Sequence, residues 1–216
     1  MTDGSNRALL VIDVQREYVD GNLPIAFPPL DVSLPNIAAA IAAAHGAGVP
    51  VVLVQHVDAA DSPVFAAGSR GAQLHDSVAG VAHDLLLTKE TVSCFGTAEL
   101  APWLEEHGID TITITGFMTQ HCDESTSRDA ADLGLGVELL SDATGTLPLT
   151  TAAGSLSAQE IHERTLVVLG AGFVSVATTA AWIDAVRAGA TLPEPDLWAS
   201  TAPARAEDAR RRRSGE

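Results

Sequence analysis

Near-continuous aliphatic runs recur along the chain at residues 8–14, 50–56, 84–88, 111–115, 136–140 and 173–176. Such runs, rich in Val, Ile and Leu, have the pattern of parallel strands buried on both faces. The segments between them carry helical signals. Residues 36–45 are alanine-rich and stop at Gly46 and Gly48. Residues 97–107 begin at Thr97 as N-cap, place Leu100 and Leu104 on one face and end at Gly108, a start and stop for which the chemistry is known. Residues 122–133 and 178–188 read as helices too, and Ser157 with Glu160 has capping-box spacing for one over 157–169. Strands alternating with helices in this way predict an α/β protein, a three-layer α/β/α arrangement around a six-stranded, mainly parallel, doubly wound sheet.

The remaining stretches read as connections. Met1 to Arg7 is a lead-in, and residues 21–35 are a loop with four prolines. Residues 57–80 are long for a loop in a compact domain, a length that often marks function or a lid. One domain over residues 1–188 accounts for all the strands. Residues 189–216, polar with Pro193, Pro195 and Pro203, are expected to be an arm or a disordered tail.

Composition narrows the function. The chain has 216 residues and a formal charge of −16, which argues against nucleic acid and anionic membrane surfaces as partners. There is no membrane-length apolar run and no signal-peptide pattern, so a cytoplasmic protein is expected. Cys94 and Cys122 stand alone, with no Cys-x-x-Cys pair to suggest zinc or a thioredoxin-type motif. Gly170-Ala171-Gly172 lacks a third glycine and precedes a strand instead of following one, and no P-loop is present. Nicotinamide, flavin and nucleotide cofactors are therefore not expected, nor is a metal.

Three chemistry-bearing residues fall at the carboxyl ends of predicted strands: Asp13, Lys89 and Cys122. In an open parallel sheet those ends converge on one edge, where ligands bind. Lys89 is the only lysine among twelve basic residues. Cys122 follows a strand and Gly116, near the start of a predicted helix whose free N–H groups favour an anion. A carboxylate can take the thiol proton, an ammonium can hold the thiol pKa down, and backbone donors can hold an oxyanion. The sum is an acyl-transfer site that requires no metal.

The segments Val11-Ile12-Asp13-Val14-Gln15, Thr88-Lys89 with Ser93-Cys94-Phe95-x-Thr97, and Gly116-Phe117-Met118-Thr119-Gln120-His121-Cys122 resemble the isochorismatase-like cysteine hydrolases, which include nicotinamidases and N-carbamoylsarcosine amidases. The resemblance covers roughly residues 8–186. It implies a six-stranded parallel sheet and a catalytic triad of Asp13, Lys89 and Cys122. It further implies a cis peptide before Met118, which sets the Met118 and Cys122 N–H groups as an oxyanion hole. Gln15, Tyr18, Phe95, Phe117 and His56 fall where the pocket is expected.

Metal-dependent nicotinamidases carry Asp-x-His after the second strand. Here the region reads Gln55-His56-Val57-Asp58, which argues against zinc and against nicotinamide. Retention of Cys122 favours cleavage of a C–N bond in a small amide or carbamoyl substrate. The alternatives are an isochorismatase-type ether hydrolase and a catalytically silent binding domain. The apolar helices and the resemblance together imply a homo-oligomer.

Overall fold

The computed structural model describes residues 6–214. In chain order it contains β1 (Arg7–Ile12), α1 (Arg16–Val19), α2 (Leu30–Ala47), β2 (Val51–His56), α3 (Asp76–Ala79) and β3 (Leu85–Lys89). A 3-10 turn (Cys94–Gly96) leads to α4 (Leu100–Glu106), β4 (Thr111–Phe117), a π turn (Thr119–Asp123) and α5 (Glu124–Asp132). Then follow β5 (Gly136–Gly145), β6 (Leu149–Thr151), β7 (Gly154–Leu156), α6 (Ala158–Gly170), β8 (Ser175–Ala177) and α7 (Thr179–Ala188). Two helices, α8 (Leu197–Ser200) and α9 (Ala202–Ser214), close the described chain.

Six strands form one parallel sheet in the order β3-β2-β1-β4-β5-β8. Alternation along β1 builds a core on each face. Ala8, Leu10 and Ile12 pack with Leu100, Leu104, Ala130 and Leu169 on one side. Leu9 and Val11 pack with Ile37, Ile41, Trp182 and Val186 on the other. This is the three-layer architecture expected from the aliphatic runs. The order reverses between β1 and β4, so a crevice opens at the carboxyl ends of those two strands. Gly116 lets β4 approach β1 there: at φ 118° it has no room for a side chain, since a Cβ would lie 1.9 Å from the Ile12 carbonyl oxygen.

At the opposite end of the sheet, buried Arg7 and Glu138 form a two-pronged pair, Nη2–Oε1 at 2.8 Å and Nε–Oε2 at 2.9 Å. Trp182 Nε1 and Thr113 Oγ1 also donate to Glu138 Oε2, at 2.8 and 2.7 Å. The cluster ties β1, β4, β5 and α7 together. No described helix is long and apolar enough to cross a membrane.

Several expectations need correction. Residues 21–35 are not all loop: α2 begins at Leu30 and carries Pro35 inside it. A proline that early in a helix deprives only one carbonyl, that of Asp31, of its N–H partner. Helix α4 begins at Leu100, not at Thr97, whose hydroxyl instead donates to the Cys94 carbonyl at 2.8 Å. Strand β5 continues past the expected 136–140 through residue 145, because β4 keeps pairing with it as far as Phe117–Gly145 after a register shift. Strand β3 runs one residue later than expected, placing Lys89 inside its last position. The β6–β7 hairpin was not expected, being three-residue strands of Leu, Thr, Gly and Ser. Residues 197–200 and 202–214, expected to be an arm or a disordered tail, are helical, whereas residues 1–5 and 215–216 lie outside the described part.

Removing one member of a buried charge pair leaves the other uncompensated, a loss of about 3–5 kcal/mol. Glu138→Gln is expected to lower unfolding stability by that order in a urea titration. A change under ~1 kcal/mol would show that the pair is dispensable.

Candidate active site

The turn after β1 brings Asp13 to the switch point in a left-handed conformation, φ 52°, which aspartate tolerates better than most residues. Its N–H is held by the Val54 carbonyl at 3.0 Å, and its carbonyl accepts from Gln15 N at 2.7 Å. Lys89 approaches from the edge strand β3, with β2 intervening. Two strand spacings are roughly 9.5 Å, so a long side chain is needed to cross. Lys89 Nζ reaches Asp13 Oδ2 at 2.8 Å, Cys122 Sγ at 3.2 Å, the Thr91 carbonyl at 3.2 Å and His56 Nδ1 at 3.4 Å. Asp13, Lys89 and Cys122 are 0, 1 and 6 % exposed. Three residues distant in sequence thus meet in one nearly dry cluster.

Cys122 lies within the π turn, not at the first position of a long α-helix as expected; α5 proper starts two residues later. The Met118 carbonyl accepts from both His121 N at 2.9 Å and Asp123 N at 3.3 Å. The Phe117–Met118 peptide is cis. The Met118 N–H has no protein acceptor among the described residues.

Burial decides the protonation states. Loss of water pushes the Asp13 carboxyl above its ordinary range, although the Lys89 ammonium pulls the other way. Burial draws Lys89 down, but the negative charge of Asp13 and Cys122 outweighs this and holds it above the usual lysine range. Burial, then the Asp13 charge, raises the Cys122 thiol, against the pull of Lys89. The net direction is opposite to the lowering that the Lys89 ammonium alone would produce. A dry site with one cation and two potential anions keeps one proton, and the resting cysteine is a thiol facing a carboxylate of increased basicity. Cys94, buried with Asp13 nearby, is pushed up to about 12.

The expected pocket residues take different places. Phe117 and Tyr18 are buried and meet edge-on at 5.9 Å between centroids. Burial, together with the negative charge of Cys122 and Asp13, raises the Tyr18 phenol. His56 joins Lys89 to Asp58, whose Oδ1 is 3.3 Å from His56 Nε2. Gln15 does not offer a free amide. Its side chain accepts from His56 N at 2.9 Å and donates to the carbonyls of His56 and Ala72 at 2.8 and 2.7 Å. Phe95 is half-buried and lines a groove of about 310 Å³ with Leu104, Leu133 and Leu135. Among the described residues no three His, Cys, Asp or Glu side chains converge as metal ligands.

Two residues escaped the sequence reading. Phe65, from the 57–80 loop, packs on Tyr18 and His56; nothing in the sequence singles it out. Asp123 is wholly buried, and neither carboxyl oxygen has a hydrogen-bond partner. Its signal was present: Asp123, Thr126, Ser127 and Ala130 share the i, i+3, i+4, i+7 face that α5 and its π turn bury. Burial, then the Asp13 charge, raises the Asp123 carboxyl well above its ordinary value of 3.8. Because the folded pKa is raised, this group favours folding fully only below pH 3.8, and that contribution is lost as pH rises toward the folded value. Asp123→Val is accordingly expected to raise stability at pH 7 by about 1–3 kcal/mol, with a smaller gain at pH 4. Thermal unfolding at the two pH values reads this, and destabilisation at pH 7 would contradict it.

Residues 7–181 match the isochorismatase domain family. A crystal structure of a Burkholderia xenovorans LB400 protein provisionally described as an isochorismatase superposes with a TM-score of 0.92 at 50 % identity, covering 95 % of this chain and 99 % of that one. Nicotinamidase 3 of Arabidopsis thaliana is 28 % identical over 77 % of this chain and 81 % of its own. Maleamate amidohydrolase of Pseudomonas putida is 27 % identical over 66 % of this chain and 73 % of its own. The match spans the whole sheet and the turns that carry Asp13, Lys89 and Cys122, and on that ground the chain belongs to the isochorismatase family of hydrolases.

Proposed function

We propose that the protein is a cysteine amidohydrolase that cleaves a C–N bond of a small amide or carbamoyl compound through a thioester. The observation that carries the reading is the single ammonium of Lys89 touching both Asp13 and Cys122 in a nearly dry site. Relatives named for amide hydrolysis support the bond type.

The sequence of steps follows from the charges. Asp13 takes the Cys122 proton as sulfur attacks the carbonyl carbon, so no free thiolate accumulates beforehand. Lys89 keeps its charge throughout and offsets the negative charge as it moves from carboxylate to sulfur and oxygen. The N–H groups of Met118 and Cys122 receive the developing oxyanion. Collapse breaks the C–N bond, and the leaving nitrogen takes the proton from Asp13. Asp13 then removes a proton from water, which attacks the thioester carbonyl and releases the acid and the thiol. A homo-oligomer would cover Val167, Val168 and Trp198, which are exposed in the monomer.

A panel of small amides and carbamoyl compounds, assayed for released ammonia, tests the reading. Cys122→Ala and Asp13→Asn are each expected to lower turnover of the best substrate by at least about 10³-fold. Ammonia release that survives Cys122→Ala would overturn it, and ether cleavage surviving that change would favour the isochorismatase-type chemistry.

A further inference from the structure

The 57–80 loop is fastened over the carboxyl edge of β1 and β2. Glu17 N donates to the Gly71 carbonyl at 3.0 Å, Arg16 N to Gln73 at 2.9 Å, and His75 N to Val14 at 2.8 Å. Gln15 and Gln55 both donate to the Ala72 carbonyl, at 2.7 and 2.6 Å. Gly71 sits so close to α1 that a Cβ would fall 1.9 Å from Glu17 Oε2. The other limb of the loop folds on Asp58, which donates from N to the Phe65 carbonyl at 2.9 Å and accepts from Ala67 N at 3.0 Å.

Between these two anchorages stands Phe65, a non-glycine residue at φ 51° and only 4 % exposed. The left-handed region disfavours a bulky L-residue by roughly 1–2 kcal/mol, and such conformations persist where the surroundings over-determine them. The ring held there lies 5.0 Å from Tyr18 at an interplanar angle of 59°, and 5.3 Å from His56 at 90°. Tyr18 meets Phe117, which precedes the Met118 donor, and His56 meets Lys89. Phe65 therefore completes a line of rings, Phe117–Tyr18–Phe65–His56, from the nucleophile's turn to the ammonium.

We infer that Phe65 is the specificity-determining wall of the site, restricting the group on the scissile carbonyl to a compact, flat one. This rests on Cys122 being the nucleophile. The loop holds the ring by main-chain bonds and close glycine packing, so the limit is set by a fixed surface and not by a swinging side chain. Removing the ring admits bulkier groups to sulfur without altering Asp13 or Lys89.

Two alkylating reagents test this independently of the unidentified substrate: iodoacetamide and an iodoacetamide bearing an N-aryl ring. Rates are followed at Cys122 by peptide mass mapping, which separates it from buried Cys94. In the wild-type protein iodoacetamide reacts faster; Phe65→Ala is expected to raise the aryl-to-small rate ratio by at least about 10–200-fold, the span that a single methylene commands in an apolar pocket. Phe65→Gly, which also relieves the backbone, must change the ratio likewise, and thermal unfolding of both variants shows whether the fold is kept. An unchanged ratio in the folded variants overturns the inference, as does a Cys122 that neither reagent labels in any form. Loss of the proposed amidase chemistry is read separately, from ammonia release surviving Cys122→Ala.

Discussion

The Asp13–Lys89 ion pair is the constraint around which the site is built. Taking two charges out of water costs several kcal/mol per ion, and only close geometry with further hydrogen bonds offsets it. The chain meets that condition from three directions. Asp13 takes a left-handed backbone so that its carboxylate faces the crevice, and Lys89 crosses a whole strand to reach it. Thr91 and Cys122 then occupy further positions around the ammonium. Gln15 and His56 lock the carboxyl end of β2 between the two partners. The Arg7–Glu138 cluster does comparable work at the far end of the sheet. Both clusters bind strands together, but only the one at the switch point has a thiol beside it.

That pair also sets the state of the thiol. At a helix start exposed to water, a neighbouring ammonium would favour a thiolate. Here the same ammonium is already matched by Asp13, so a second negative charge in the dry cluster is unfavourable and the proton stays on sulfur or moves to Asp13. On the proposed reading, base and nucleophile therefore act in one step with the substrate in place. Asp123, a second carboxyl without a partner, is pushed above its ordinary range by the same burial and by the Asp13 charge. Function tolerates this local destabilisation because the surrounding aliphatic layers are extensive.

Much of this was legible in the sequence, and the reason is periodicity. Fully buried parallel strands announce themselves as aliphatic runs, so the sheet and the positions of Asp13, Lys89 and Cys122 at its carboxyl edge could be read directly. What could not be read depended on long-range packing. The extension of β5 through Ser141-Asp142-Ala143-Thr144-Gly145 defies turn propensity because β4 supplies a partner. Phe65 acquires its place only when the loop folds over α1. The sign of the thiol pKa shift depended on how much water remains around Lys89, and spacing along a chain carries no record of that.

The most direct measurement is the ultraviolet absorbance of the thiolate, titrated as the difference between the wild-type protein and Cys122→Ala. The account predicts no Cys122 thiolate signal below pH ~8.5, the ordinary cysteine value, with ionisation appearing only well above it. A thiolate already present at pH 6 would contradict the account, since it would mean that Lys89 is paired with sulfur and that Asp13 is not the base.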